Sequence, residues 1–145
     1  MTTIATDGKS MAGDGQSEDH CRTIVSHTSV KVSKLGDGRI LGAAGNSLDA
    51  DAWQEWVSTG KVGACPIESD QFAGLILNTD GTVLWVDHKG REILTPTPVA
   101  IGSGQDFAYG AMEAGASPCM AVQIAAKRDP GTGGIVTIQH LEPEE

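Results

Sequence analysis

Apolar positions along this chain keep two rhythms. In the first, short runs of small and β-branched residues stop at Asp-Gly or Lys-Gly pairs, the pattern of strands joined by tight turns. Residues 2–6 and 9–14 read as two such strands around Asp7-Gly8, a two-residue hairpin signal. The stretch TIVSHTSVKVSKL is rich in β-branched side chains and predicts two short strands, followed by a turn at Asp37-Gly38 and the apolar run RILGAAG. Residues 72–78, 83–87 and 92–94 form a meander with turns at Asp80-Gly81 and Lys89-Gly90. VAIGSG adds a strand ending in glycines, and GGIVTIQHL closes the chain. The second rhythm is helical. NSLDADAWQEWVSTG places Leu48, Ala52, Trp53, Trp56 and Val57 at helix spacing, with Asn46 or Ser47 as cap and Gly60 as stop. QDFAYGAMEAGAS predicts a second helix. PCMAVQIAAKRD predicts a third, opened by Ser117 as cap and Pro118 at its first position. Strands, helix, strands, two helices and a strand make an α+β order: antiparallel sheets carrying helices on their outer faces.

The chain has 145 residues, which predicts one domain, 1–145, able to bury a core without disulfides. Cys21, Cys65 and Cys119 are odd in number and widely spaced, as reduced thiols are. His20, His27, His88 and His140 show no metal-ligand spacing. A net charge of −9 and dispersed basic residues argue against a nucleic-acid partner. No segment approaches a membrane span or a signal peptide, so a cytoplasmic protein is the expectation. Residues 141–145 read as a solvated acidic tail.

The opening pair Thr2-Thr3 carries the first chemical signal. Threonine suits any edge strand. A threonine freed at an N-terminus also offers a hydroxyl nucleophile and an amine base on adjacent carbons. Three further pieces then gain interest: Asp14 in AGDGQ, Lys31 in SVKVSKL, and Gly45 where a strand meets a helix. Each also has a plain reading. Lys31 can face solvent, Asp14 can be a turn aspartate, and Gly45 can simply end its strand. Ser103 in IGSG can be a turn residue and Asp129 a helix-end carboxylate.

Taken together and in this order, TTIA, GDGQ, AAGNSLDA, IGSG and RDPGTGG resemble the proteasome β-subunit family over nearly the whole chain. The resemblance is strongest to its HslV-type peptidases, in a short bacterial or bacteriophage form. It implies a four-layer αββα N-terminal-nucleophile hydrolase sandwich of two antiparallel sheets. One helix of HslV would be missing, since residues 60–71 are too short for it. It implies a threonine peptidase in which Thr2, exposed by removal of Met1, attacks the peptide bond. Lys31 would be the buried cation beside it and Asp14 that cation's partner. Gly45 would supply an oxyanion N–H, and Ser103, Asp129 and Thr132 a supporting shell. Ala43 and Ser47 would help line the substrate pocket. It further implies peptide or unfolded protein as substrate, a homo-oligomer with Trp53 and Trp56 as candidate contacts, and an ATP-dependent unfoldase partner. No organic cofactor is implied, although carbonyl-bound Na or Mg ions occur in the family. The alternative is a non-catalytic assembly or decoy protein that retains the fold.

Overall fold

In a computed structural model the chain is described over residues 1–142. Residues 143–145 of the expected tail lie outside the described residues. In chain order the elements are β1 (Thr3–Thr6), β2 (Ser10–Gly13), β3 (Ser17–Glu18), β4 (Ile24–Ser26), β5 (Val32–Lys34), β6 (Ile40–Ala44), α1 (Ser47–Ser58), β7 (Ala73–Leu77), β8 (Val83–Val86), β9 (Glu92–Thr95), β10 (Val99–Gly102), α2 (Gln105–Glu113), α3 (Pro118–Ala126) and β11 (Thr137–His140). One sheet has the order β10-β1-β2-β11 and the other β5-β6-β7-β8-β9, while β3 and β4 form a separate hairpin. All pairings are antiparallel.

Strand alternation builds the layers. Successive residues point to opposite faces of a sheet. Ile4 therefore joins Met11, Val32, Leu75 and Ile101 between the two sheets. Its neighbour Ala5 faces the other way, with Ala12 and Ala100, against Ala108, Met112, Ala121 and Val122 of α2 and α3. Across the molecule, Leu41, Ala43, Ile76 and Val86 meet Trp53 and Val57 of α1. The result is the expected four-layer αββα sandwich, with a single helix on the α1 side and no helix in residues 61–72. β6 is buried along its whole length, between the other sheet on one face and α1 on the other, which is why RILGAAG reads as continuous rather than alternating apolar sequence. Among the described residues no helix is long and apolar enough to cross a membrane.

Several local expectations change. The Asp7-Gly8 turn is longer than two residues, because Thr6 pairs with Met11. The Asp7 carboxylate accepts from the N–H groups of Lys9 and Ser10, which draws both into the loop. Leu48 has helix spacing but is 81% exposed, on the face of α1 turned away from the sheet. Trp53 is fully enclosed, edge-on to Phe72 at 5.3 Å between ring centroids, so it cannot be a contact between subunits. Trp56 is only partly buried. β11 begins four residues later than GGIVTIQHL suggests, because Gly133 and Ile135 bond instead to the loops at Gly15 and His27. Leu141 is not a free tail residue: its N–H donates to Lys9 O at 2.9 Å and its side chain packs against the inter-sheet core.

Candidate active site

Thr2 stands immediately before β1, which is held between β2 and β10, so the start of the chain is fixed in the middle of a sheet. Thr2 is 4% exposed. The glycines of IGSG make room for it. A Cβ on Gly102 would collide with the Thr2 carbonyl, and one on Gly104 with the Thr3 hydroxyl.

Lys31 lies just ahead of β5 and crosses to this point. Its ammonium donates to Thr2 Oγ1 at 3.0 Å, Asp14 Oδ1 at 2.9 Å, the Gln16 carbonyl at 2.6 Å and the Met1 carbonyl at 3.2 Å. Four acceptors surround three N–H bonds, so the cation is held in one place. Burial draws the Lys31 pKa below the ordinary lysine value of 10.5. The charge and hydrogen bond of Asp14, and the charge of Glu18, oppose that without cancelling it.

Asp14 follows β2 and is completely buried. Oδ1 accepts from Thr3 N–H at 3.1 Å, and Oδ2 from Gln16 N–H at 3.3 Å and Gly133 N–H at 3.1 Å. A buried carboxylate needs this many donors as well as its cation. Asp14 is therefore the point where the loop after β2, the N-terminal strand and the loop before β11 are tied together.

Ser103, Asp129 and Thr132 form a second group. Thr2 N–H donates to Ser103 Oγ at 3.3 Å, and Ser103 donates its own proton to Asp129 Oδ2 at 2.6 Å. Thr132 Oγ1 donates to the same oxygen at 2.6 Å, and Gly131 N–H donates to Oδ1 at 3.2 Å. Burial pushes the Asp129 pKa up, but the hydrogen bonds from Ser103, Thr132 and Gly131 outweigh it and hold the carboxyl below its ordinary value. Thr132 does not reach Thr2. Its hydroxyl lies 2.6 Å from that of Thr3, so it anchors the second threonine rather than the first.

The remaining site residues line a pocket of about 370 Å³ that Thr2 and Lys31 share with Ala43, Gly45 and Ser47. Gly45 has φ 132°, a backbone conformation that favours glycine, and a Cβ there would sit 3.3 Å from the Phe72 backbone. Asn46 caps α1 directly after it, accepting from Asp49 N–H at 2.7 Å. All nine residues singled out in the sequence thus fall around one centre. Three carbonyl oxygens beside it, those of Gln16, Asp129 and Pro130, already accept protein hydrogen bonds.

Two residues of this centre, Gln16 and Thr3, and a buried carboxylate near it, Asp49, have no role that the sequence assigns. Gln16 is buried, presents its carbonyl to Lys31, and its side chain bridges Glu18 and Pro130 O at 2.9 Å each. Thr3 gives its amide to Asp14 and its hydroxyl to Thr132. Asp49 is buried in the first turn of α1 and accepts from Glu68 and Ser69 N–H groups at 3.1 Å each. The only available signal for Gln16 and Thr3 is their place inside GDGQ and TTIA.

Among solved structures, the fold is similar to that of the eukaryotic HslV from Trypanosoma brucei, with TM-score 0.73 and 20% identity over 98% of this chain and 99% of that one. It is also similar to Thiobacillus denitrificans BPH, with TM-score 0.68 and 20% identity over 99% of each chain. The complex of that protein with epoxomicin matches with TM-score 0.67 and 19% identity, over 98% and 99% of the two chains. No protein-family model and no curated protein sequence matches. The chain therefore has the fold of HslV and related N-terminal-nucleophile hydrolases.

Proposed function

We propose that the chain is a threonine peptidase whose reactive group is Thr2 after removal of Met1. The observation that carries this reading is the position of the Lys31 ammonium, 3.0 Å from Thr2 Oγ1 and 2.9 Å from the buried Asp14 carboxylate. In the encoded chain the Thr2 nitrogen is an amide and has no basic lone pair. Once Met1 is gone it is an α-amine, a base of pKa about 7.7–8.0 that a neighbouring cation lowers further.

Thr2 Oγ1 then attacks the carbonyl carbon of the scissile bond. Its proton passes to the α-amine, directly or through one water, and from there to the departing amine. Lys31 stabilises the negative charge that Oγ1 carries as it loses the proton. The Gly45 N–H receives the developing oxyanion, beside the N-terminus of α1. The acyl group rests on Thr2 as an ester until water, deprotonated by the same amine, releases it as an acid. Ala43 and Ser47 flank Gly45 and contact the residue before the scissile bond. The substrates in this reading are peptides or unfolded protein. The working form is a cytoplasmic homo-oligomer, and an ATP-dependent unfoldase delivers folded proteins to it in unfolded form.

A second reading is a non-catalytic protein that keeps the fold for assembly. It is favoured by the contacts of Met1, whose carbonyl accepts from Lys31 and whose sulfur lies 3.4 Å from the Arg22 guanidinium. The intact mass of the purified protein separates the two, together with hydrolysis of unfolded casein by wild type and Thr2→Ala. Loss of one methionine with activity confined to wild type supports the peptidase. Retained Met1, or equal rates, supports the assembly protein.

A further inference from the structure

Beside Thr2 the pocket carries a charge pattern of its own. Its charged lining residues are Glu18, Lys31 and Asp51. Lys31 is neutralised by Asp14, which lies behind it and away from the cavity. Neither Glu18 nor Asp51 takes part in an ion pair among the described residues. Gln16 Nε2 donates to the Glu18 carboxylate, which orients it but leaves its charge. Asp51 lies on α1 one turn after Ser47 and is exposed. The cavity thus presents two carboxylates outside any ion pair among the described residues, with Lys31, already paired to Asp14, the one cationic side chain in its lining.

Shape points the same way. On the α1 side the wall includes the small residues Ala43, Ser47 and Ala50, with Asp51 and Gln54 beyond them. A long unbranched stem can lie along these, with a charged head carried out to a carboxylate. Lysine and arginine have that form. A glutamate side chain would meet two like charges. A neutral stem of the same length would cover the carboxylates while offering them no partner.

From this we infer that the pocket selects a basic side chain, lysine or arginine, at the residue before the scissile bond. The inference rests on the peptidase reading above, and its test has one arm that does not. Fluorogenic peptides identical except for arginine, norleucine or glutamate at that residue are compared on wild type, Asp51→Asn and Glu18→Gln. In parallel, the matching peptide amides are titrated by NMR onto the folded Thr2→Ala variant. The expected result is kcat/KM at least tenfold higher for arginine than for norleucine, lower still for glutamate, and a preference that shrinks with added salt. Asp51→Asn should reduce the arginine-to-norleucine ratio to below about threefold, and the binding arm should show the same order and the same loss. Equal or reversed preference in the binding arm overturns the inference. So does a preference that survives both carboxylate substitutions. If no peptide is cleaved but arginine still binds preferentially through Asp51, the peptidase reading fails and the recognition of a basic side chain stands.

Discussion

Lys31 Nζ and Thr2 Oγ1 are 3.0 Å apart, although 29 residues separate them in the chain. The contact exists because β1 runs in the middle of one sheet while Lys31 enters β5 at the edge of the other. It joins the two halves of the sandwich at the one place where an N-terminal amine would emerge.

Removing this cation should affect activity and folding separately. Lys31→Met is expected to lower kcat by about a hundredfold or more, since the charge developing at Thr2 loses its nearest positive partner. It also strands the buried Asp14 carboxylate, a type of loss that costs about 3–5 kcal/mol. Urea unfolding monitored by tryptophan fluorescence measures the second effect. The double variant Lys31→Met with Asp14→Asn should recover part of the stability and none of the rate.

The alkaline side of the pH profile follows from Lys31. Its folded-state pKa lies below 10.5, so between the two values the unfolded chain binds the extra proton. Stability contributed by this group therefore rises with pH through that window. Activity moves the opposite way, because the same deprotonation removes the charge beside Thr2. A profile of kcat/KM should fall before pH 10.5 is reached, while urea stability referenced to Lys31→Met climbs.

Asp129 governs the acid side. Burial raises its pKa, yet the hydrogen bonds from Ser103, Thr132 and Gly131 bring it below 3.8. The stability it contributes is present above that value and is lost as the pH falls through the folded-state pKa. Asp129→Asn should flatten the dependence of unfolding free energy on pH below about 4 and leave it unchanged near neutrality. Denaturant titrations across the acid range read this directly.

Gly45→Ala places a side chain where φ is 132° and the Phe72 backbone is 3.3 Å away. The strain is worth about 1–3 kcal/mol of stability. The fall in kcat should exceed what that loss explains, since any shift of this peptide moves its N–H away from the oxyanion.

Asp49 gives a control that does not touch the reacting atoms. Its carboxylate holds the Glu68 and Ser69 amides, and so ties the short connection after α1 to the start of that helix. Asp49→Ala should cost about 1–3 kcal/mol. Faster hydrogen exchange at residues 68 and 69 is the local signature.

Much of the architecture was legible because several signals agreed at each element. Asn46 before an apolar helical stripe and Ser117-Pro118 before another fixed two helix starts. The Asp-Gly and Lys-Gly pairs separated the meander strands. The Ser17–Glu18 strand was not legible, since two residues carry no periodicity and only their pairing with Ile24–Ser26 defines them. At the site, motif order groups Thr2, Asp14 and Lys31, which the structure brings together, whereas Gln16 meets Lys31 through its backbone carbonyl, which no side chain announces. Thr132 belongs to the group around Asp129, but its second partner is the Thr3 hydroxyl. Its hydroxyl chemistry was clear, but which neighbour it meets depends on a distance between loops that spacing along the chain does not encode. Leu48 shows the limit of periodicity: helix spacing marks a face, but not how far the sheet beneath extends to cover it.

The most direct test of the reactive centre is covalent capture. The purified protein is incubated with a peptide vinyl sulfone, digested, and the modified residue located by tandem mass spectrometry. The prediction is an adduct on the Thr2 side chain of molecules lacking Met1, strongly reduced in Lys31→Met. An adduct confined to Cys21, Cys65 or Cys119, or none on Thr2 in molecules that have lost Met1, would contradict it.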